Sequence, residues 1–337
     1  MTNSHRSVRA TGRCAVLTVL ALVLAACGSG SGSSASGGDS KTLRVELFCS
    51  GLAPIAAELA IDSGIAAKKG LKVKPMCVSN GSAATQALIG GSADVFMGDI
   101  GHVILARKKG VKLRAYGVAN DRFSYELVAR KDAGLTSVKD LKGKKVAITA
   151  PGTLSDTEMK KAALDVGLNP KTDLTVISGG AGATMQAALT GNRVVAGMTS
   201  QPDSLQLLKT GKFQVLWQEP NYHYVDILAM AKQDWVAKHQ DSMKAFLASM
   251  SEASAQAKAN PALATTWMKK QGYKISDADL ATIVKEALVS VPADLKVTDQ
   301  VASSSADLLV RTGLLTKPLL PNNDVYDYSL LPSTPAG

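Results

Sequence analysis

The sequence predicts an α/β fold of two similar lobes joined by two crossing segments, each lobe a parallel-rich sheet covered by helices. Three observations predict it. Strand-length apolar runs alternate with helical stretches from Leu43 to Lys209, the pattern of sheets covered on both faces. The alternation is duplicated. With residues 43–110 laid over 144–211 at a constant offset of 101, Val45 falls on Val146, Gly51 on Gly152, Gly81 on Gly182, Gly90 on Gly191 and Gly110 on Gly211. A period that long marks two lobes rather than a solenoid. After Gln218 the pattern becomes helical, which supplies a tail to pack on one lobe.

Residues 1–26 read as an export signal. Arg6, Arg9 and Arg13 form a basic start, residues 15–26 are apolar, and Leu24-Ala25-Ala26-Cys27 follows. A bilayer-spanning helix needs about 20 apolar residues, so this run is too short to cross, and no later stretch reaches that length. The small residues before Cys27 resemble the lipobox of bacterial lipoproteins, which implies that Cys27 carries lipid. Positions 28–38 hold only Gly, Ser and Ala; they cannot bury a core, and residues 27–40 are expected to be a tether. Cys14 lies in the signal, so Cys49 and Cys77 remain in an oxidising compartment. Both close apolar runs. They are either bridged across neighbouring strands or left as two buried thiols, because that bridge is geometrically demanding.

In the first copy the elements run strand 43–48, helix 54–69 with Ile55, Leu59 and Ile65 on one side, strand 71–78, helix 82–89, strand 93–97 and helix 103–109, ended by Gly110. The second copy runs strand 145–149, helix 156–166, strand 174–177, helix 184–190, strand 194–198 and helix 203–209. In the tail, 234–257 carries Trp235, Met243, Phe246, Leu247 and Met250 at helical spacing. Helices 261–271, 276–289 and 298–312 follow, the last closed by Gly313 with Pro318 beyond. Trp235 and Trp267 are expected in the core. Residues 125–131 cross to the second lobe and 224–232 return. Lobe one is therefore expected at 41–125 and 229–337, and lobe two at 126–228.

The formal charge of +10 includes the three arginines of the signal and falls to +7 without them. The lysines are scattered, as in Lys68-Lys69, Lys160-Lys161 and Lys269-Lys270, which is a solvated surface. With aromatics at 4% there is no basic stripe with interleaved rings for nucleic acid. There is no metal-spaced Cys/His cluster, Gly-x-Ser-x-Gly elbow or Walker loop. Gly180-Ala181-Gly182 has Met185 where a dinucleotide fingerprint needs its third glycine. Neither metal nor cofactor is implied, and acid–base chemistry would fall to carboxylates.

Open parallel sheets bind ligands beyond the carboxyl ends of their strands, where helix amino termini point free N–H groups outward. Those ends are the small polar loops 49–51, 79–82 and 98–102 in lobe one and 149–153, 178–181 and 199–202 in lobe two. The expected contacts are Ser50, Asn80, Ser82, Asp99, Thr153, Ser155, Thr199, Ser200 and Gln201, with Tyr222, His223 and Tyr224 near the return crossing. The alternative for each loop residue is a helix cap. Asp99 either faces the cleft, where an ionised carboxylate favours an amine or heterocyclic N–H over nitrate, or caps the following helix. His102 and His223 are either structural or ligands.

Four segments together carry a resemblance: Leu43-Arg44-Val45, residues 83–94, Asp140-Leu141-Lys142-Gly143-Lys144-Lys145-Val146, and residues 191–208 with Pro202 at their centre. The chain resembles the solute-binding proteins of ABC importers, in the branch serving nitrate, sulfonates such as taurine, and thiamine-related pyrimidines. The resemblance implies a two-lobed, type II periplasmic-binding-protein-like fold. It also implies a monomeric clamp, lipid-anchored outside the cytoplasmic membrane, that hands one small solute to a permease and ATPase complex and is not an enzyme. Two positions depart from the family pattern. Val195 stands where Asp is usual, as Asp94 does in lobe one, and Asp99 places a carboxylate in a loop of small residues. The rival readings are an exported enzyme on the same fold, since fold does not fix function, and a surface sensor with no transporter.

Overall fold

Leu43, Val45 and Leu47 alternate along a seven-residue strand and are almost fully buried. That strand, β1 (Thr42–Phe48), belongs to the first of two five-stranded sheets. The computed structural model describes residues 42–48, 51–78 and 81–333. After β1 come α1 (Ile55–Asp62), α2 (Ile65–Lys68), β2 (Lys72–Val78), α3 (Gly81–Ile89), β3 (Val95–Gly98), α4 (Ile100–Lys108) and β4 (Leu113–Arg122). The second half is β5 (Tyr125–Arg130), β6 (Lys144–Ile148), α5 (Leu154–Asp165), β7 (Leu174–Ser178), α6 (Ala183–Thr190), β8 (Ala196–Ser200), α7 (Asp203–Lys209) and β9 (Phe213–Gln218). Then follow β10 (His223–Lys232), α8 (Gln233–Lys238), α9 (Gln240–Ala259), α10 (Pro261–Met268), α11 (Asp277–Val289), α12 (Asp299–Arg311) and α13 (Asn322–Val325).

The sheets have one plan, β2-β1-β3-β10-β4 and β7-β6-β8-β5-β9. In each, three strands of one half run parallel. The fourth strand is antiparallel and is borrowed: β5 follows β4 in sequence but pairs with β8 and β9, and β10 follows β9 but pairs with β3 and β4. The expected α/β architecture with two crossings is what forms. The duplication holds residue by residue. Leu43 pairs with Val73 and Val45 with Val95, and at the same offset Lys144 pairs with Leu174 and Val146 with Ala196.

Some expected elements shift, for physical reasons. Helix 54–69 breaks at Gly64, whose φ of 77° is left-handed, a conformation that glycine adopts without steric cost. Helix 234–257 divides at His239, where φ is −134°. The helix expected from residue 103 starts at Ile100, because Asp99 caps it. Strand β4 was not expected, since Gly117 and the polar residues at its end interrupt the apolar run. A Cβ on Gly117 would lie 2.8 Å from Leu247 Cδ2, so the glycine is what lets α9 approach the sheet. The expected return to lobe one at residue 229 also moves. The whole of β10 from His223 pairs in the first sheet, and the chain changes sheets at 219–222 instead.

Each sheet has a core on both faces. On one face of the first, Phe246, Leu247 and Met250 of α9 meet Ile55 and Leu59 of α1, each buried side chain contributing about 1.5–3 kcal/mol. Trp235 and Trp267 pack partly buried against this core. The helical tail thus fastens to the first half, as its stripe predicts, with Ser276 and Thr298 capping α11 and α12. Among the described residues no helix is long and apolar enough to cross a membrane.

Candidate functional site

Helices α1, α3 and α4 in one half, and α5, α6 and α7 in the other, each begin just after a parallel strand ends. Carboxyl strand ends and helix amino termini of both halves therefore gather at one crevice. It holds a small inner chamber of about 40 Å³, with Gly51, Asp99 and His102 on one side and Thr149, Thr153 and Ser200 on the other. Beside it lies an outer cavity of about 610 Å³, within the usual range for small-molecule sites. The two share Ala53, Ser124, Tyr125 and Ser200 as walls. The halves are close here, since a Cβ added to Gly51 would sit 3.2 Å from Ser200 Oγ. At the flanks, α7 reaches α11 through a Lys209–Asp279 ion pair, and α12 reaches α5 through Arg311–Asp165 at 2.5 Å.

The wall from the second half is a hydroxyl cluster. Gly152, at a φ of 77°, turns the chain after β6, and its N–H donates to Asp156 Oδ2 at 2.9 Å. Ser155 Oγ accepts the Thr149 N–H at 2.9 Å and lies 2.7 Å from Thr149 Oγ1. Thr153 donates to the Ala150 carbonyl at 2.8 Å. These bonds fix the loop with Thr149 and Thr153 on the chamber.

The wall from the first half is acidic. Asp99 Oδ1 accepts the Gly101 N–H at 2.7 Å and caps α4, while Oδ2 is buried with no hydrogen-bond partner. Burial pushes this carboxyl up to about 7, against the opposing pull of the Tyr224 hydroxyl and the Gly101 N–H. The Tyr224 hydroxyl is near enough to act on this carboxyl but falls short of hydrogen-bond geometry with it. Asp226 also lines the chamber, its Oδ2 accepting from Asn120 Nδ2 at 3.1 Å. Glu158, on α5 of the second half and outside the chamber lining, is fully buried, with Oε1 accepting the Ser124 N–H at 3.4 Å and Oε2 unpartnered. Burial holds both acids well above the ordinary carboxylate range. Each such orphaned acceptor costs about 1–3 kcal/mol. His102, at the chamber, is driven down to about 4 by burial and is neutral at pH 7.

Of the residues expected at the site, Asp99, Thr153 and Ser200 line the inner chamber, and Ser200 and Gln201 line the outer cavity. Gln201 Nε2 donates to Glu126 at 3.1 Å. Ser82 is exposed on the first turn of α3. The others sit elsewhere. Ser155 is fully buried and serves the loop; Thr199 is 3% exposed, inside the second sheet. Tyr222 stacks on Phe123 at 4.5 Å under the Lys161 ammonium. Exposed His223 pairs with Asp121 at 3.3 Å, and Tyr224 is fully buried behind Asp99. Cys77 is disulfide-bonded. Cys27, Cys49, Ser50 and Asn80 lie outside the described residues. The sequence reading missed Ser124, Tyr125 and Asp226. The one signal was Asp226, a lone acid inside the apolar run 224–230.

The NMT1/THI5 like family model matches residues 58–264, most of both halves. The chain belongs to the NMT1/THI5 like family. Solved structures share the architecture of this NMT1/THI5 like chain. The alkanesulfonate-binding protein SsuA from Xanthomonas axonopodis pv. citri, bound to MOPS, is 19% identical, covering 85% of this chain and 98% of its own at a TM-score of 0.71. The periplasmic aliphatic sulphonate binding protein SsuA from Escherichia coli is 21% identical, covering 85% and 92% at 0.68. A variant of the enzyme DSZB in complex with biphenyl-2-sulfinic acid is 14% identical, covering 86% and 97% at 0.63. No curated protein sequence gives a match. At these identities the neighbours establish the periplasmic binding protein fold, shared by binding proteins and an enzyme alike. Among the described residues no group of three or more His, Cys, Asp or Glu side chains is placed to hold a metal ion.

Proposed function

We propose that this protein is the extracytoplasmic solute-binding component of an ABC importer, held to the outer face of the cytoplasmic membrane by lipid on Cys27. It works as a monomer that captures a small polar solute of the sulfonate, taurine-like or pyrimidine-like kind and passes it to a permease and ATPase complex. The observation that carries this reading is the chamber walled from both repeated halves by strand-end residues, Asp99 on one side and Thr153 and Ser200 on the other. A ligand that touches both halves stabilises their closed arrangement over any open one, which is the differential binding that closure requires.

The enzyme reading has the DSZB neighbour in its favour. Against it, the Thr149, Thr153 and Ser155 hydroxyls bond to one another and to backbone, whereas nucleophilic catalysis needs a hydroxyl held by a base. A thermal-shift screen of residues 41–337 against sulfonates, nitrate, pyrimidines and small amines tests capture. A solute at 100 times its dissociation constant stabilises by about 2.7 kcal/mol. Binding without turnover, with loss of uptake of that solute on deletion, is the expected result; product formation selects the enzyme instead.

A further inference from the structure

Resting on the solute-binding reading, we propose that the inner chamber takes the protonated amine head of a solute whose apolar body fills the outer cavity, and that it rejects sulfonate, sulfate and nitrate heads. The chamber is small, about 40 Å³, enough for a head group and not for a whole solute; one water needs roughly 10–15 Å³ on this scale. Asp99 lines it, is 5% exposed, and has Oδ2 buried without a partner. Asp226 stands beside it at 2% exposure. An ammonium group brings three donors to a wall whose open acceptor is Asp99 Oδ2; a sulfonate brings only more acceptors.

An anion would meet the hydroxyls of Ser124, Tyr125 and Ser200 here, but among the described residues no lysine or arginine lines the inner chamber. His102 is neutral. Helix amino termini are the usual anion sites of such a crevice, and at α4 the chain answers with its own carboxylate, Asp99 taking the Gly101 N–H. The outer cavity has a mixed lining. Leu52, Phe123, Val215 and Ile283 offer an apolar body its contacts, beside Arg122, Glu126 and Glu286, and Val289 at its wall is 60% exposed, an unusually open large apolar side chain.

The test is calorimetric titration of the purified chain with primary alkylamines of two to eight carbons and with alkanesulfonates of the same lengths. Amines are expected to bind at least tenfold more tightly than the matched sulfonates, with affinity rising along the series as the outer cavity fills. Asp99→Asn keeps the acceptor for the Gly101 N–H and is expected to lose at least tenfold of the amine affinity. Sulfonates that match or exceed the amines in wild type overturn the head-group assignment and leave solute capture standing, and that comparison needs no variant to fold. Equal amine affinity in a folded Asp99→Asn also overturns it. Absence of binding by either series overturns it as well, and capture is then decided by the broader screen alone.

Discussion

Asp99 sits where two demands on one side chain collide, since it caps α4 with one oxygen and leaves the other buried and unpaired. Its carboxyl titrates at about 7 folded, against about 3.9 in an unfolded chain. The native state therefore holds this proton more tightly. Stability is intact at or below pH 4, falls as pH rises toward 7, and levels off above. Glu46, raised by burial to about 7, adds a loss of the same sign. Asp99→Asn removes the Asp99 share, so urea denaturation at pH 8 should find the variant more stable than wild type, with a ceiling of about 4 kcal/mol. That gap should shrink toward pH 4, and parallel pH profiles for the two proteins would contradict the burial of an orphaned acid. The loop position of Asp99 was legible in the sequence. Its neighbour Asp226 was not, because a strand brings it in from 127 residues away, and no local period records that.

At the scale of elements, the repeat was the most informative feature of the sequence. Its 101-residue offset carries over into strand register. The borrowed strands β5 and β10 were read as crossings, since neither shows which sheet it will enter. The two copies also differ at one structural joint. Asp94 donates its N–H to the Arg44 carbonyl at 3.0 Å, and Val195 does the same to Lys145 at the same distance. In the first half, Asp94 Oδ2 also accepts from the Arg44 N–H at 2.8 Å and Oδ1 from Nη2 at 2.6 Å, whereas Val195 has no acceptor to offer. The departure noticed in the sequence is thus a lost strand clamp at the far end of the sheet from the crevice. Asp94→Ala should cost about 1–3 kcal/mol in chemical denaturation while leaving solute affinity within about twofold of wild type. A large loss of affinity with normal stability would place Asp94 in the site.

At the scale of the whole molecule, the fold brings together two surfaces that neither half holds alone, an acidic wall and a hydroxyl wall. The Lys209–Asp279 and Arg311–Asp165 pairs at the flanks are partly exposed, and pairs of that kind contribute about 0–1 kcal/mol each. Apolar packing also joins the halves, with Leu154 of α5 buried in a core of the first half; on the proposed solute-binding reading, solute contact with both walls adds to it. The measurement that tests this most directly is the affinity of the tightest-binding solute of the screen for Gly51→Trp and for Ser200→Trp, which crowd the chamber from opposite halves. A loss of at least tenfold is expected in each; full affinity in either variant would show that the solute does not lie between the two sets of strand ends.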